Sequence, residues 1–535
     1  MNTKFFRSFI TPVGSVVSLR KNIKEKGING SNAQLTSGVF VFAMLIAGFT
    51  AHAENLPESV KRTKPTSARA VVSFRAEPGS VCQIYPSIPR SNAPVRQLTV
   101  FADANGDARF YVTTEASAEW RDLSATAVCV TPSGRTVNVP IPITPELFVP
   151  QPSLSSASPR SPRRIETNSS IGVLSSERVD VTTASEERLR QLGYPHRPDP
   201  EQFPQAYKLW LYAVTTPGAY VPARSVTMRD ERHGPTQVEV KAKGQIVSPN
   251  QVLRLSDPSR LQMIPHRNEN ANAQSTTFAL STIWSGYVVE NPLGIFGNPI
   301  VGVSGQWKVP KAGLEWGYFG YTASSEWVGI DGFGGNKDVI QAGTRQDVCG
   351  FFSANHYHQF ESYYAWYEYY PESENAITGI TVAPGDEVWV YVYTEPGVPK
   401  WTAQANFILF NKSTGQATIE NEATPAGATW ARMSAEWIME RPSYGDDQIP
   451  YPLAHYGYDA DGHAELTEAI YEQQRPYGQP STSYNYLFTN PIGISSNITY
   501  QVAMVKDVNS NGAGLSFAID DGIDSIFFTW LGHGL

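Results

Sequence analysis

The sequence predicts an all-β, turn-rich protein of several domains, and three features of its composition point to this class. The chain has 535 residues, more than one compact domain normally holds. Aromatic residues make up 12% of the chain and charged residues only 17%, which is unlike a helical bundle or a disordered chain. The 42 glycines and 39 prolines supply turns between short segments of β-type alternation. From residue 277 onward these segments predict one large β-sandwich.

Residues 1–53 have the pattern of a secretory signal peptide. A basic lead precedes an apolar stretch from Val39 to Phe49, and Ala51-His52-Ala53 places small residues at the two positions that a signal peptidase reads. The apolar stretch is about a dozen residues, shorter than the ~20 that span a bilayer. We therefore expect a protein secreted through a bacterial signal peptide, periplasmic or extracellular, without a stable membrane anchor. A retained anchor is the alternative.

Residues 68–145 predict a small immunoglobulin-like β-sandwich with an accessory role. Cys82 and Cys129 each fall in a predicted strand, with 46 residues between them. This spacing suits a disulfide between the two sheets of such a domain. The chain has 3 cysteines, too few for a multi-cysteine metal array, and Cys349 is left unpaired by count.

Between this domain and residue 277 the chain is basic and only partly helical. Residues 146–180 are rich in Ser, Pro and Arg and predict an exposed linker. Residues 181–276 begin with two short predicted helices, the first with Ser185 as its N-cap. Residues 54–276 have 26 Lys and Arg against 21 Asp and Glu, a net charge of +5. Residues 277–535 have 10 against 28, a net charge of −18.

Four polar residues on predicted strands share a face with aromatic or apolar residues, because side chains alternate faces with period two. Glu368 shares a face with Trp366, and Asp331 shares one with Trp327. Gln341 and Glu436 each lie inside an otherwise apolar strand. A carboxylate in such surroundings is costly unless it is hydrogen-bonded, and burial raises its pKa. Together the four residues predict a cleft floored by a sheet.

The motifs around these residues resemble the glutamic peptidases, or eqolisins, which are acid endopeptidases best known from fungi. The resemblance covers about residues 277–535. The motifs occur in the order Trp284-Ser285-Gly286, Trp327-Val328-Gly329-Ile330-Asp331-Gly332, Ile340-Gln341-Ala342-Gly343, Ala365-Trp366-Tyr367-Glu368-Tyr369-Tyr370-Pro371, Gly385-Asp386 and Ser434-Ala435-Glu436-Trp437-Ile438-Met439-Glu440.

The resemblance implies a sandwich of two curved antiparallel sheets and a catalytic dyad of Gln341 and Glu436. In this mechanism the Glu436 carboxylate takes a proton from a water molecule and the Gln341 amide donates to the developing oxyanion. The residues that the resemblance implies for substrate binding are Trp284, Trp327, Asp331, Trp366 and Glu368.

Two positions depart from the family's pattern, and both bear on the optimum pH and the subsite preference rather than on the dyad. Tyr364 and Arg345 stand where the fungal members have aspartates. The opposite charges of 181–276 and of the domain that follows suggest that 181–276 is a pro-segment, released when carboxylates protonate. We expect activity on peptides or unfolded proteins below about pH 5.

The expected partners are protein or peptide substrates. No cofactor or metal is expected, and a net charge of −8 argues against a dedicated nucleic-acid binder. Two other functions remain open from the sequence: a non-catalytic carbohydrate-binding or adhesion sandwich, and a glycosidase with Glu368 and Glu436 as its carboxylate pair. The sequence gives no basis for an oligomeric state.

Overall fold

The computed structural model describes most of the chain beyond residue 66. The described residues are 67–87, 97–115, 123–148, 179–228, 231–233, 236, 239–242, 277–292, 298–315, 317–353, 356–396, 403–428, 430–445, 449–457, 463–474, 482–485, 497–506, 514–520 and 525–534. The predicted signal peptide, nearly all of the predicted linker and residues 243–276 lie outside them.

The described residues are mostly in strands, as the composition predicts. The strands are β1 (Ser67–Arg75), β2 (Val81–Pro86), β3 (Leu98–Phe101), β4 (Asp107–Glu115), β5 (Ser124–Val130), β6 (Thr136–Pro142), β7 (Ser225–Thr227), β8 (Glu231–Arg232), β9 (Glu239–Ala242), β10 (Thr277–Ser281), β11 (Trp284–Glu290), β12 (Ile300–Lys308), β13 (Lys311–Gly313), β14 (Gly320–Asp331), β15 (Val339–Ser353), β16 (His356–Tyr370), β17 (Asn375–Ile377), β18 (Glu387–Pro396), β19 (Ala403–Asn411), β20 (Gln416–Ala423), β21 (Ser434–Glu440), β22 (Ser443–Tyr444), β23 (Ile449–Pro450), β24 (His455–Gly457), β25 (His463–Gln473), β26 (Thr482–Asn485), β27 (Ile498–Val505), β28 (Gly514–Asp520) and β29 (Ile526–Trp530).

Three short helices accompany these strands: a 3₁₀ helix (Pro145–Phe148), α1 (Glu186–Gln191) and α2 (Pro204–Thr215). The Ser185 hydroxyl caps α1 by accepting from the backbone N–H of Arg188 at 3.2 Å, as its sequence predicts. The buried face of α2 packs on the tyrosines and isoleucines of β18, β19 and β20. Both helices of the basic segment are therefore attached to the large sandwich. No helix among the described residues is long and apolar enough to cross a membrane.

The large sandwich is built from one antiparallel ladder that returns on itself. Its strands follow the order β20-β19-β18-β12-β25-β29-β28-β27-β11-β21-β14-β15-β16. Strands β14, β15 and β21 pack across the core on β12 and β18. The inner face of this layer carries Val328, Ile330 and Ile340 into that core. The all-β, two-layer antiparallel prediction is thus confirmed, and the outer face of β14, β15 and β21 is left for other side chains.

The strands of residues 68–145 differ from the predicted immunoglobulin-like module in two respects. First, β4 pairs with β16, so that β1 and β4 extend the large sheet, and Cys349 and Phe360 share the apolar core of this part. Second, the structure has a disulfide between Cys82 and Cys129, but the two residues are cross-strand partners on β2 and β5 of one sheet. An inter-sheet bridge was expected because strand pairing cannot be read from spacing alone.

Candidate active site

Gln341 and Glu436 lie in one row on the outer face of the large sheet. On β14, Gly329 is the register partner of Gln341 of β15 on one side and of Glu436 of β21 on the other. Register partners point to the same face of a sheet, so both side chains project on the same side. Their Cα atoms are two strand spacings apart, about 10 Å. Gly329 places no side chain between the two residues of the row, and Cζ3 of Trp327 lies 2.8 Å from where a Cβ at Gly329 would be.

Glu436 is a buried carboxyl with no protein hydrogen-bond partner within bonding geometry among the described residues. Burial raises its pKa well above the ordinary value, with only the nearby Ser434 hydroxyl acting in the opposite direction. An unpaired carboxyl in such surroundings is a candidate for proton transfer.

Gln341 is engaged by its other neighbour, Glu368 of β16. The Gln341 amide Nε2 donates to Glu368 Oε2 at 3.1 Å, and burial raises the pKa of Glu368 to about 8. Glu368 and Glu436 are three strand spacings apart, about 14 Å between Cα atoms. In this row Gln341 lies between the two glutamates, and its amide donates to one of them.

Two tryptophans line the same face and converge on a carboxylate that the sequence reasoning did not select. Trp327 Nε1 donates to Glu440 Oε2 at 2.7 Å, and Trp284 Nε1 donates to Glu440 Oε1 at 3.3 Å. The two rings meet edge to face with their centroids 4.9 Å apart. Trp366 lies on the other side, with its Nε1 donating to Ser325 Oγ at 2.9 Å. Period-two alternation from Glu436 already places Glu440 on this face.

Asp331, one of the predicted substrate-binding residues, contacts the backbone that leads into β21. Its carboxylate accepts from the backbone N–H groups of Arg432 and Met433, each at 2.7 Å. Its φ of 70° is in the left-handed region. Burial raises the pKa of Asp331 to about 7, although those hydrogen bonds act to lower it. Asp331 therefore fixes the chain that leads into β21 and Glu436.

A segment of the basic region crosses this face; we call the described residues of 225–236 the strap. The strap enters through β7, which pairs with β17, and continues through β8, which pairs with β22. It leaves at Thr236, whose backbone N–H donates to Gly332 O at 3.1 Å. All of the predicted catalytic and substrate-binding residues are buried in this covered form.

His233 of the strap lies at the centre of the site. Its imidazole stacks on Trp366, with centroids 3.7 Å apart and an angle of 4° between the rings. Its backbone N–H donates to Glu368 Oε2 at 3.0 Å, and its carbonyl oxygen accepts from Gln341 Nε2. The strap thus places a backbone carbonyl on the amide of Gln341.

Two carboxylates hold the His233 ring. Nδ1 lies 2.8 Å from Glu440 Oε2 and Nε2 lies 2.8 Å from Glu374 Oε2. Burial disfavours a charged imidazole, but these two carboxylates outweigh it and raise the pKa of His233. Burial likewise acts to raise the pKa of Glu374, but Arg345 and His233 outweigh it and lower that pKa. The centre of the site is therefore an ionic cluster.

Arg345, seen in the sequence only as a departure, is a second centre of charge. It is fully buried and its guanidinium contacts Glu374 at 2.8 Å, Asp347 at 3.0 Å and Glu231 of the strap at 2.8 Å. Glu374, Glu231 and His233 were not found from the sequence. They lie in a turn and in the short strap, where no alternation marks a face.

Among the described residues no group of three or more His, Cys, Asp or Glu side chains is arranged to hold a metal ion.

Comparison with known proteins matches the part of the chain that carries this row. Residues 282–470 match the model of the Peptidase A4 family. The chain is 28% identical to aspergillopepsin-2 of Aspergillus niger, over 36% of this chain and 67% of that protein. It is 26% identical to scytalidopepsin B of Scytalidium lignicola, over 36% of this chain and 62% of that protein.

Two solved structures are similar at a lower level. A scytalido-glutamic peptidase with a transition state analog inhibitor is 20% identical, covering 47% of this chain and 98% of that chain with a TM-score of 0.34. Aspergilloglutamic peptidase from Aspergillus niger is 22% identical, covering 39% and 99%, with a TM-score of 0.27. Because both TM-scores are low, the comparison rests on the sequence matches, in which residues 282–470 are similar to the Peptidase A4 family.

Proposed function

We propose that this chain is an endopeptidase that cleaves peptide bonds with Glu436 as general base and Gln341 as oxyanion donor. The Glu436 carboxylate takes a proton from a water molecule, and that water adds to the carbonyl carbon of the substrate. The Gln341 amide donates to the oxygen as negative charge develops on it. Glu436 then passes the proton to the leaving amine as the C–N bond breaks. No acyl-enzyme forms, because water is the nucleophile.

The observation that carries this proposal is the contact between the Gln341 amide and the carbonyl of His233. The backbone of the strap already lies on this face, with the carbonyl oxygen of His233 on the group assigned to the oxyanion. Gly329 lies in register between Gln341 and Glu436, so no Cβ separates the two residues. A peptide substrate lying along the same path would present its carbonyl to both groups.

We further propose that 181–276 is a pro-segment whose strap blocks the cleft, and that the protein is exported. The contacts of the strap support its role as an inhibitor, because no substrate can reach the Gln341 amide while the His233 carbonyl is bound to it. Export is supported by the sequence of residues 1–53 alone. Sequencing the N-terminus of the protein recovered outside the expressing cell tests export, and an intact residue 1 would contradict it.

Digestion of a denatured protein by the acidified full chain tests the dyad. Glu436→Gln and Gln341→Ala should each lower kcat by at least about a hundredfold, since each removes a group that acts in the transition state. The matched control is Glu326→Gln: Glu326 is also buried with a pKa raised by burial, but lies on β14 one residue from Trp327 and so on the opposite face. Full activity of Glu436→Gln, or an equal loss in the control, would contradict the assignment.

A further inference from the structure

We infer that Arg345 and Tyr451 form a binding site for a carboxylate side chain of the substrate, two residues before the residue whose carbonyl lies on Gln341. The inference rests on the proposed function and adds a substrate class to it: peptides with Glu or Asp at that position. The strap shows how such a residue is held, because its sequence Glu231-Arg232-His233 has Glu231 two residues before His233.

Both oxygens of the Glu231 carboxylate are in contact with side chains of the large sandwich. The Tyr451 hydroxyl donates to Oε1 at 2.8 Å, and Arg345 Nη2 lies 2.8 Å from Oε2. Arg345 and Tyr451 come from different parts of the large sandwich, so the strap contributes only the acid. A guanidinium joined by a hydroxyl donor is suited to a carboxylate and offers nothing to a cationic side chain.

The backbone around Glu231 is held in the way that an added peptide strand is held. Residues Glu231 and Arg232 pair antiparallel with Tyr444 and Ser443 of β22. Main-chain pairing of this kind fixes the register of an extended peptide, whatever its sequence. With the register fixed, a residue two positions before the carbonyl on Gln341 meets Arg345 and Tyr451.

The charge on Arg345 remains available to a substrate in acid. Its other carboxylate contacts are Glu374 and Asp347. Burial raises the pKa of Asp347 to about 6, although Arg345 acts to lower it. Below that pH Asp347 is mostly neutral, so of these two carboxylates Glu374 alone still pairs with Arg345.

Three fluorogenic peptides that differ only at this position test the inference. They share a His whose carbonyl is to be attacked and have Glu, Gln or Lys two residues before it. Cleavage is measured with the acid-activated full chain at pH 5, where a Glu side chain is mostly ionised. We expect kcat/KM for the Glu peptide to exceed that for the Gln peptide by about tenfold, as for one charge-assisted hydrogen bond, and the Lys peptide to be poorest. The preference should shrink as pH falls to 3.

Variants then locate the preference. Tyr451→Phe, which keeps every charge, should reduce the Glu-to-Gln ratio severalfold, and Arg345→Gln should abolish it. Arg69→Gln is the control, because that guanidinium pairs with Glu361 on β16 instead. Equal kcat/KM for the three peptides, or a ratio unchanged in Tyr451→Phe, would overturn the inference while leaving the peptidase intact. Cleavage of none of the three by an enzyme that digests denatured protein would also count against it, whereas failure on all substrates would overturn the proposed function itself.

Discussion

His233 combines three kinds of contact that no other residue of the strap makes: a stacked indole, two carboxylates and a backbone carbonyl on Gln341. Hydrogen bonds to charged partners contribute about 1.5–3 kcal/mol each to net stability, and more is lost when a buried partner is left alone. The side chain of His233 therefore decides how firmly the strap lies in the cleft, while its carbonyl would stay in any variant.

His233→Ala should open the strap. Loss of two charge-assisted contacts should raise the fraction of uncovered enzyme by at least about tenfold, so that activity appears faster after acidification. The lag before substrate cleavage measures this. His196→Ala is the matched control, because His196 also lies in the basic segment and pairs with Glu395, but outside the cleft. An unchanged lag in His233→Ala, or the same shortening in both variants, would contradict the role given to His233.

At the scale of elements, β14 separates two functions by its two faces. Its inner face packs Val328 and Ile330 into the core, while Gly329 faces outward between Gln341 and Glu436. A Cβ at Gly329 would lie 2.8 Å from Cζ3 of Trp327 and 3.2 Å from Cβ of Gln341. The strand can therefore be altered on one face at a time.

Gly329→Ala should reduce the kcat of the folded enzyme by at least about tenfold, because the added methyl displaces Trp327 and Gln341, and this overpacking should also cost about 1–3 kcal/mol of unfolding free energy. Val328→Ala should lose on the order of 2 kcal/mol of unfolding free energy and keep its kcat when folded. Thermal unfolding and kcat are measured for both variants. Parallel losses in the two properties for both variants would show that the faces are not separate.

Alternation of side chains made the faces of the long strands predictable from sequence. The strap has too few strand residues to show alternation, so its position could not be predicted in this way. Glu368 and Trp366 are two residues apart on one strand, so their common face could be predicted. The pairing of β4 with β16 and the position of His233 depend on contacts between residues far apart in the chain. Strand β8 has two residues, too few for any period. Arg345 stood out only by its charge, and its partner Glu231 had no distinguishing pattern.

At the scale of the whole molecule, the basic segment and the acidic sandwich meet at ion pairs that respond to acid. The groups facing His233 are Glu374, Glu440 and Glu368. The pKa of His233 is raised, so the attraction of its charged ring to these carboxylates is fully present below its ordinary pKa of about 6.5. That attraction is lost only as pH rises through the raised value. The pKa of Glu374 is lowered, so the attraction of its carboxylate to His233 is present above the ordinary pKa of Glu. That attraction is lost as pH falls through the lowered pKa.

The strap should therefore loosen between about pH 4.5 and pH 2, as Glu374 takes up a proton. Burial raises the pKa of both Glu368 and Glu440, so neither carboxyl extends the attraction to lower pH. Release of the strap removes the His233 ring from Trp366, which should change the fluorescence of that tryptophan. The signal is the fluorescence of the wild type minus that of Trp366→Phe, measured during acid titration. Glu374→Gln should move the midpoint upward by about one pH unit or more, because the group that resists protonation is gone. A midpoint that stays fixed in Glu374→Gln would assign the acid response to charges elsewhere on the sandwich and remove Glu374 from the release step.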